Sequence, residues 1–289
     1  MNERERAALQ ERMSAYYANT AQYHQDIDDV VSDDRPSDEE KALFRAIQAR
    51  LQVSSLPYVV ELGCGRGESG AGFVSMLGGA EYLGMDASPS AIASAAKRYP
   101  QLRFEAGDIT SLKLPKQADV IFANYVLEHT VYPEKIFESV SRSLKPGGLF
   151  GLILPLGDFP WEIPPSQRDK RLNLPYRAAF TSKRVLRQLR TRYASDYFET
   201  HLVSDPIALR DANWAIDDDL VYWSSGVELE KLGRQNGLEV AWATARALPP
   251  PRPGNKLDAL RRLLTKGWQK AITPATPLGT TVRFVFRRR

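Results

Sequence analysis

"VVELGCGRGESG", residues 59–70, places four glycines within eight positions, directly after an apolar run that carries one acid, Glu61. Glycine at this density lets backbone turn tightly and come close to something bulky. A loop that cradles a nucleoside triphosphate requires Lys followed by Ser or Thr after its glycines. Here Gly67 is followed by Glu68 and Ser69, which excludes it. Gly65, Gly67 and Gly70 do match G-x-G-x-x-G, the dinucleotide fingerprint, but that match alone is weak. Glu61, two residues before the first glycine, departs from it.

The flanks set the loop in a fold. "YVVEL" (58–62) reads as a strand and "GAGFVSML" (70–77) as the helix that follows. "AEYLGMD" (80–86) is the next strand, 88–100 a helix with Pro89 in its first turn, and "LRFEAGD" (102–108) a third strand. "ADVIFAN" (118–124), a helix over 132–145 and "GLFGLILP" (148–155) continue the alternation. Strands alternating with helices argue for parallel strands joined by crossovers, and unbroken apolar strands for a sheet covered on both faces. Right-handed crossovers put the strand C-termini on one edge, where ligands of such sheets bind.

Upstream, 3–18 and 38–53 read as helices, the second with Ser37 and Asp38 as candidate caps. After Pro155 the pattern loosens for about seventy residues rich in Pro, Trp, Tyr and Arg. A helix (226–237) and a strand (238–246) restore it, followed by a proline-rich break, an amphipathic helix over 257–272 and a closing "TTVRFVFRRR" whose alternation predicts an edge strand. The expected organisation is an N-terminal helical cap (1–55), a core (56–155), an inserted cap (156–225) and a completion of the core sheet (226–289).

The 289 residues are 43% apolar and 26% charged, the profile of a globular protein. No apolar run approaches the roughly 18 residues that span a bilayer. The single cysteine, Cys64, cannot form an internal disulfide and suits a reducing cytoplasm, the expected location. It also excludes a cysteine-based zinc cluster. Net charge is +4, concentrated in 170–193, 261–270 and the terminal "RRR". Those stretches read as solvated helix faces, with a polyanion or a membrane surface as the alternative. The apolar positions of 257–272 (Leu257, Leu260, Leu263, Leu264, Trp268) suit docking on the domain better than a membrane.

Glu61-Leu62-Gly63-Cys64-Gly65-Arg66-Gly67 resembles the first motif of class I S-adenosylmethionine-dependent methyltransferases. The resemblance runs on in order through Asp86 at the end of strand two, "GDI" (107–109) after strand three, "ADVIFANYVLEHT" (118–130) and "LKPGGLF" (144–150). It implies an α/β, doubly wound, Rossmann-like sheet of seven strands with the last reversed, and S-adenosylmethionine as cofactor. That ligand has no phosphate, so close backbone at Gly63, Gly65 and Gly67 suffices, and its carboxylate suits N–H groups at a helix N-terminus. The family places Asp86, with Ala87 beside it, at the ribose hydroxyls, Asp108 at the adenine amino group and the Ile109 N–H at the ring. Glu61 and Asn124 are the candidate acceptors for the ammonium. Tyr125 is a candidate aromatic face for the sulfonium; Tyr16, Tyr17 and Tyr23 suit packing better. Asp86 and Asp108 also have plainer readings, as a cap and a turn residue.

Methyl transfer needs alignment, exclusion of water and, for a neutral nucleophile, a base. His129, with Glu128 next to it, is the candidate. Asn124-Tyr-Val-Leu-Glu128-His129 lacks the Asn/Asp-Pro-Pro-aromatic text of base-amine methyltransferases, so no DNA partner is expected. Some relatives hold a metal with a Glu-His pair and an earlier Glu; Asn124 stands near that earlier place, and no metal is expected. Residues 157–189 loosely resemble methyltransferases of polysaccharide gene sets. The expected reaction is transfer to O or N of a small polar acceptor, a sugar-containing one included. RNA- or lipid-directed transfer, or a binding protein without catalysis, are the alternatives.

Overall fold

The computed structural model describes residues 1–19, 36–53, 56–155, 157, 159, 163–164, 174–194, 199–206, 209, 218–245, 263–264, 267–268 and 281–289. Its helices are α1 (Glu3–Asn19), α2 (Asp38–Gln48), α3 (Glu68–Leu77), α4 (Pro89–Arg98), α5 (Pro133–Ser143), α6 (Leu174–Tyr193) and α7 (Gly226–Gln235). Its strands are β1 (Tyr58–Leu62), β2 (Glu81–Asp86), β3 (Arg103–Ala106), β4 (Ala118–Asn124), β5 (Leu144–Pro155), β6 (Leu238–Ala245) and β7 (Thr281–Arg288). They form one sheet in the order β3-β2-β1-β4-β5-β7-β6. The first five strands are parallel, and β7 runs antiparallel to both β5 and β6. This is the doubly wound α/β sheet with a reversed last strand that the sequence predicts.

Alternation in the strands splits the core into two layers. Val60, Leu62, Ile121, Ala123, Phe150 and Leu152 face α5 and α7, which bring Ile136, Phe137, Val140, Leu229 and Leu232. Val59, Val120, Phe122, Leu149 and Ile153 face α2 and α3, which bring Leu43, Phe44, Ile47 and Phe73. Burial on both faces is why these strands lack polar alternation. It also fixes register, because a slip by one residue would exchange the two faces.

The expectation of an edge strand at the C-terminus is wrong. β7 lies inside the sheet, and β6 is the outer strand. Phe284 and Phe286 pack with Phe137 and Phe150 on one face while Val285 packs on the other. The alternating Arg283 and Arg287 had suggested a half-exposed strand. Helix boundaries differ too: α2 stops at Gln48 rather than 53, and α3 opens at Glu68. Of the helix expected at 257–272, only 263–264 and 267–268 lie within the described residues. There the Trp268 indole N–H donates to Gln188 Oε1 of α6 at 2.8 Å, a docking contact. The proline-rich 247–256 lie outside the described residues.

Ser37 caps α2 through a reciprocal box: its hydroxyl accepts from the Glu40 N–H at 3.2 Å, and Glu40 Oε2 accepts from the Ser37 N–H at 2.8 Å. α2 seals one core layer, so Ser37→Ala should cost about 0.5–2 kcal/mol of stability, read by urea unfolding.

Candidate active site

The glycine loop joins β1 to α3 at the C-terminal edge of the sheet. Gly63 has φ +67°, and a Cβ there would lie 2.4 Å from Val126 Cγ2, so the loop presses against the turn after β4. Gly67 has φ +89°, with the Phe104 ring 2.8 Å from where its Cβ would stand. Larger residues at either place meet both strain and collision. The N–H groups of Gly63 and Cys64 donate to the Met85 carbonyl at 2.7 and 3.0 Å. Burial pushes the Cys64 thiol far up, so it packs rather than reacts.

Asp86 closes β2 and anchors the loop. Its Oδ2 accepts from the Gly65 N–H and its Oδ1 from the Ser88 N–H, both at 2.9 Å. Each oxygen keeps a second lone pair for another donor. Ala87 is exposed beside it. At the end of β3, Asp108 is exposed and closes a turn on Thr110, whose N–H donates to Oδ1 at 2.8 Å. Ile109 packs against the core.

Glu61 is 2% exposed and accepts from the Tyr82 hydroxyl. Burial first, then the neighbouring Glu40, Glu68 and Asp86, hold its carboxyl well above the usual range, against the lowering pull of the Tyr82 bond. At the end of β4 the Asn124 amide donates to Ser69 Oγ at 2.8 Å and Glu40 Oε1 at 3.2 Å. Asn124 Oδ1 is buried and has no hydrogen-bond partner among the described residues. Tyr125 follows at φ +56°, 42% exposed, a strained backbone of the kind held at functional sites.

The turn Leu127–His129 then buries Glu128 completely. The Glu128 carbonyl accepts from the N–H groups of Val221 and Tyr222, both at 2.8 Å. His129 sits under α1, its Nδ1 3.4 Å from Asp219 Oδ2. The structure thus gathers Glu61, the glycine loop, Asp86 and Asn124 at one sheet edge, with His129 one turn beyond. Asp108 stands at the neighbouring strand end.

Residues 60–150 match the family model described as the methyltransferase domain. The trans-aconitate 2-methyltransferase of Methylobacterium nodulans is 36% identical over 107 residues, which cover 37% of this chain and 42% of that protein. That of Variovorax paradoxus is 34% identical over 122 residues, covering 42% and 47%. The chain therefore spans less than half the length of these relatives. The S-adenosylmethionine dependent methyltransferase from Mesorhizobium loti shares the fold, with a TM-score of 0.50 at 18% identity over 84% of this chain and 96% of that one. Residues 60–150 therefore match a methyltransferase domain, set in the fold of class I S-adenosylmethionine-dependent methyltransferases.

S-adenosylmethionine, the cofactor of that fold's methyltransferases, is a cation at both its sulfonium and its ammonium. The residues around the loop suit such a group: Glu40, Glu68 and Asp86 lie near enough to Glu61 to push its carboxyl up, and Asn124 Oδ1 is an acceptor without a donor among the described residues. Sequence reasoning missed Glu40, Ser69 and Asp219. The Ser37-to-Glu40 spacing of a capping box is a signal that could have singled out Glu40, and no spacing rule relates it to Asn124.

A cleft of about 380 Å³ between α1, the first turn of α5 and α6 is lined by Arg6, Glu134, Arg187, Thr200 and His201. Burial and the guanidinium groups of Arg187 and Arg184 hold His201 well below the usual imidazole range. Arg6 of the cleft wall donates to the Val131 carbonyl at 2.6 Å, two residues past His129.

The raised Glu61 pKa carries a stability consequence. The folded chain keeps this proton above the unfolded pKa of about 4.3, so stability is full below that pH and declines as pH rises toward the raised value. Glu61→Gln removes the cost of charging. At neutral pH its ligand-free Tm should rise by about 2–4 °C for each kcal/mol relieved, with a flatter pH dependence than the parent in scanning calorimetry.

Proposed function

We propose that the chain transfers the methyl group of S-adenosylmethionine to a hydroxyl oxygen or an amine nitrogen of a small polar acceptor. The observation that carries this reading is the orphaned Asn124 Oδ1 beside the acidic glycine loop, an acceptor set for a cationic ligand. In this reading the loop backbone at Gly63, Gly65 and Gly67 admits the ligand, Glu61 and Asn124 receive its ammonium, and Asp86 receives the ribose hydroxyls. Asp108 and Ile109 face the adenine, and Tyr125 borders the sulfonium. Residues 156–225 serve as the acceptor cap. Bound S-adenosylmethionine supplies a methyl carbon already activated by positive sulfur; the protein aligns it, excludes water and provides a place for the proton. His129 is the base, with Asp219 Oδ2 3.4 Å from its Nδ1.

The substrate in the relatives' names supports a second reading, in which a carboxylate oxygen of a small polyacid is the nucleophile. A carboxylate is already ionised and needs no base, so the two readings differ in their demand on His129. Incubation with methyl-labelled S-adenosylmethionine and fractionated cell extract tests the proposal. Label in a small-molecule fraction supports it. Absence of label from every fraction, by a protein that binds S-adenosylhomocysteine, overturns it in favour of a binding protein.

A further inference from the structure

Three elements converge on one amide at the sheet edge. Asn124 ends β4, and its Nδ2 donates to Ser69 Oγ of α3 at 2.8 Å and to Glu40 Oε1 of α2 at 3.2 Å. Glu40 is itself held from the other side. Its Oε2 accepts from the Ser37 N–H and the Ser37 hydroxyl, both at 2.8 Å, within the box that caps α2. One carboxylate oxygen thus serves the helix cap and the other serves Asn124. The entry to α2 is seated in turn against α3, where a Cβ on Gly72 would stand 2.2 Å from Pro36 Cγ.

A side-chain amide has nearly the same shape when its oxygen and nitrogen exchange places, so the chemistry of its neighbours decides the orientation. A hydroxyl does not discriminate, because Ser69 Oγ can accept from Nδ2 or donate to Oδ1. An ionised carboxylate does discriminate, since it only accepts. Glu40 therefore selects the arrangement with Nδ2 toward α2. Oδ1 is left buried, with no partner among the described residues.

We propose that Glu40 is a positioning residue that holds the Asn124 amide with Oδ1 kept for the ammonium of S-adenosylmethionine. This rests on the reading of Asn124 as an ammonium acceptor. The opposite orientation would set an N–H donor against a cation, so the choice is between attraction and repulsion. A helix cap thereby reaches into the cofactor site, 84 residues in sequence from the side chain that it orients. The charge of Glu40 also helps to push the Glu61 carboxyl up, so charge and orientation have to be separated by experiment.

Titration calorimetry on the full-length protein with two ligands separates them. S-adenosylhomocysteine carries the ammonium, whereas methylthioadenosine lacks the whole amino-acid end. Glu40→Gln keeps a capping box, which Gln completes as Glu does. With its one oxygen on Ser37, its amide N–H groups face Asn124 and favour the flipped orientation. Kd for S-adenosylhomocysteine should rise about tenfold or more, the usual scale for a hydrogen bond to a charged group, with that for methylthioadenosine within about twofold. Asn124→Ala should show the same selective loss. In the Asn124→Ala background, Glu40→Gln should change Kd by less than about twofold, because the amide that it orients is gone. Glu40→Asp keeps the charge but draws the carboxylate back by one methylene. It should also lose S-adenosylhomocysteine selectively, and it serves alone if Glu40→Gln does not fold. If Asn124→Ala loses affinity while neither Glu40 variant does, this proposal fails and the ammonium reading stands. Equal losses with and without Asn124 would assign the effect of Glu40 to its charge alone, and equal losses of both ligands to a collapsed loop; either result overturns the proposal. If Asn124→Ala binds S-adenosylhomocysteine normally, the ammonium reading fails and the proposal falls with it.

Discussion

His129→Ala is expected to keep its affinity for S-adenosylhomocysteine while turnover falls at least about a hundredfold. A positioned base is typically worth about 10²–10⁴ in rate when the nucleophile must lose a proton. Imidazole, with an unperturbed pKa near 6.5, holds its lone pair at neutral pH. The loop, Asp86 and Glu61 bond to Met85, Ser88 and Tyr82, so removal of the ring leaves those hydrogen bonds in place. The pH–rate profile should also lose its limb near neutrality. Nearly normal turnover would assign the transfer to a nucleophile that is already ionised, such as a carboxylate, and leave His129 as a packing residue. The measurement is a steady-state assay with methyl-labelled cofactor, paired with calorimetry to confirm unchanged binding.

The cofactor half of the molecule was legible because its physics is local. A strand end, tight glycines and a helix start lie within a dozen residues, and "VVELGCGRGESG" carries them all. Asp86 could be placed at that edge because each parallel strand delivers its last residue there. Asp108, at an equivalent strand end, also closes a turn on Thr110. The acceptor half was not legible. Asp219 precedes an apolar run in a stretch without periodicity, and it meets His129 across ninety residues through pairing at 221–222 that no pattern announces. β7 was misplaced for a related reason: alternating arginines resemble an exposed edge, and the phenylalanines between them reveal burial only once α5 and β5 are in place.

Asp86→Ala should lose roughly 1.5–3 kcal/mol of S-adenosylhomocysteine binding, the usual worth of hydrogen bonds to a charged group, or about 10–150-fold in Kd. Two effects contribute. In the proposed reading the ribose hydroxyls lose a charged acceptor. The loop loses its tie to β2 as well, because the Gly65 and Ser88 N–H groups both donate to this carboxylate. Asp86→Asn separates them. Its amide offers one oxygen to one N–H and turns a donor toward the other, so the loop is only half held and the ribose meets a neutral partner. Its affinity should fall between the parent and the alanine variant. The site is partly open to water, which can replace the lost bonds in the ligand-free state, so Tm should change little in either variant. Titration calorimetry on the three proteins, with circular dichroism to confirm folding, decides the matter. An unchanged Kd in a folded Asp86→Ala variant would leave Asp86 as a loop anchor alone and place the ribose elsewhere on the sheet edge.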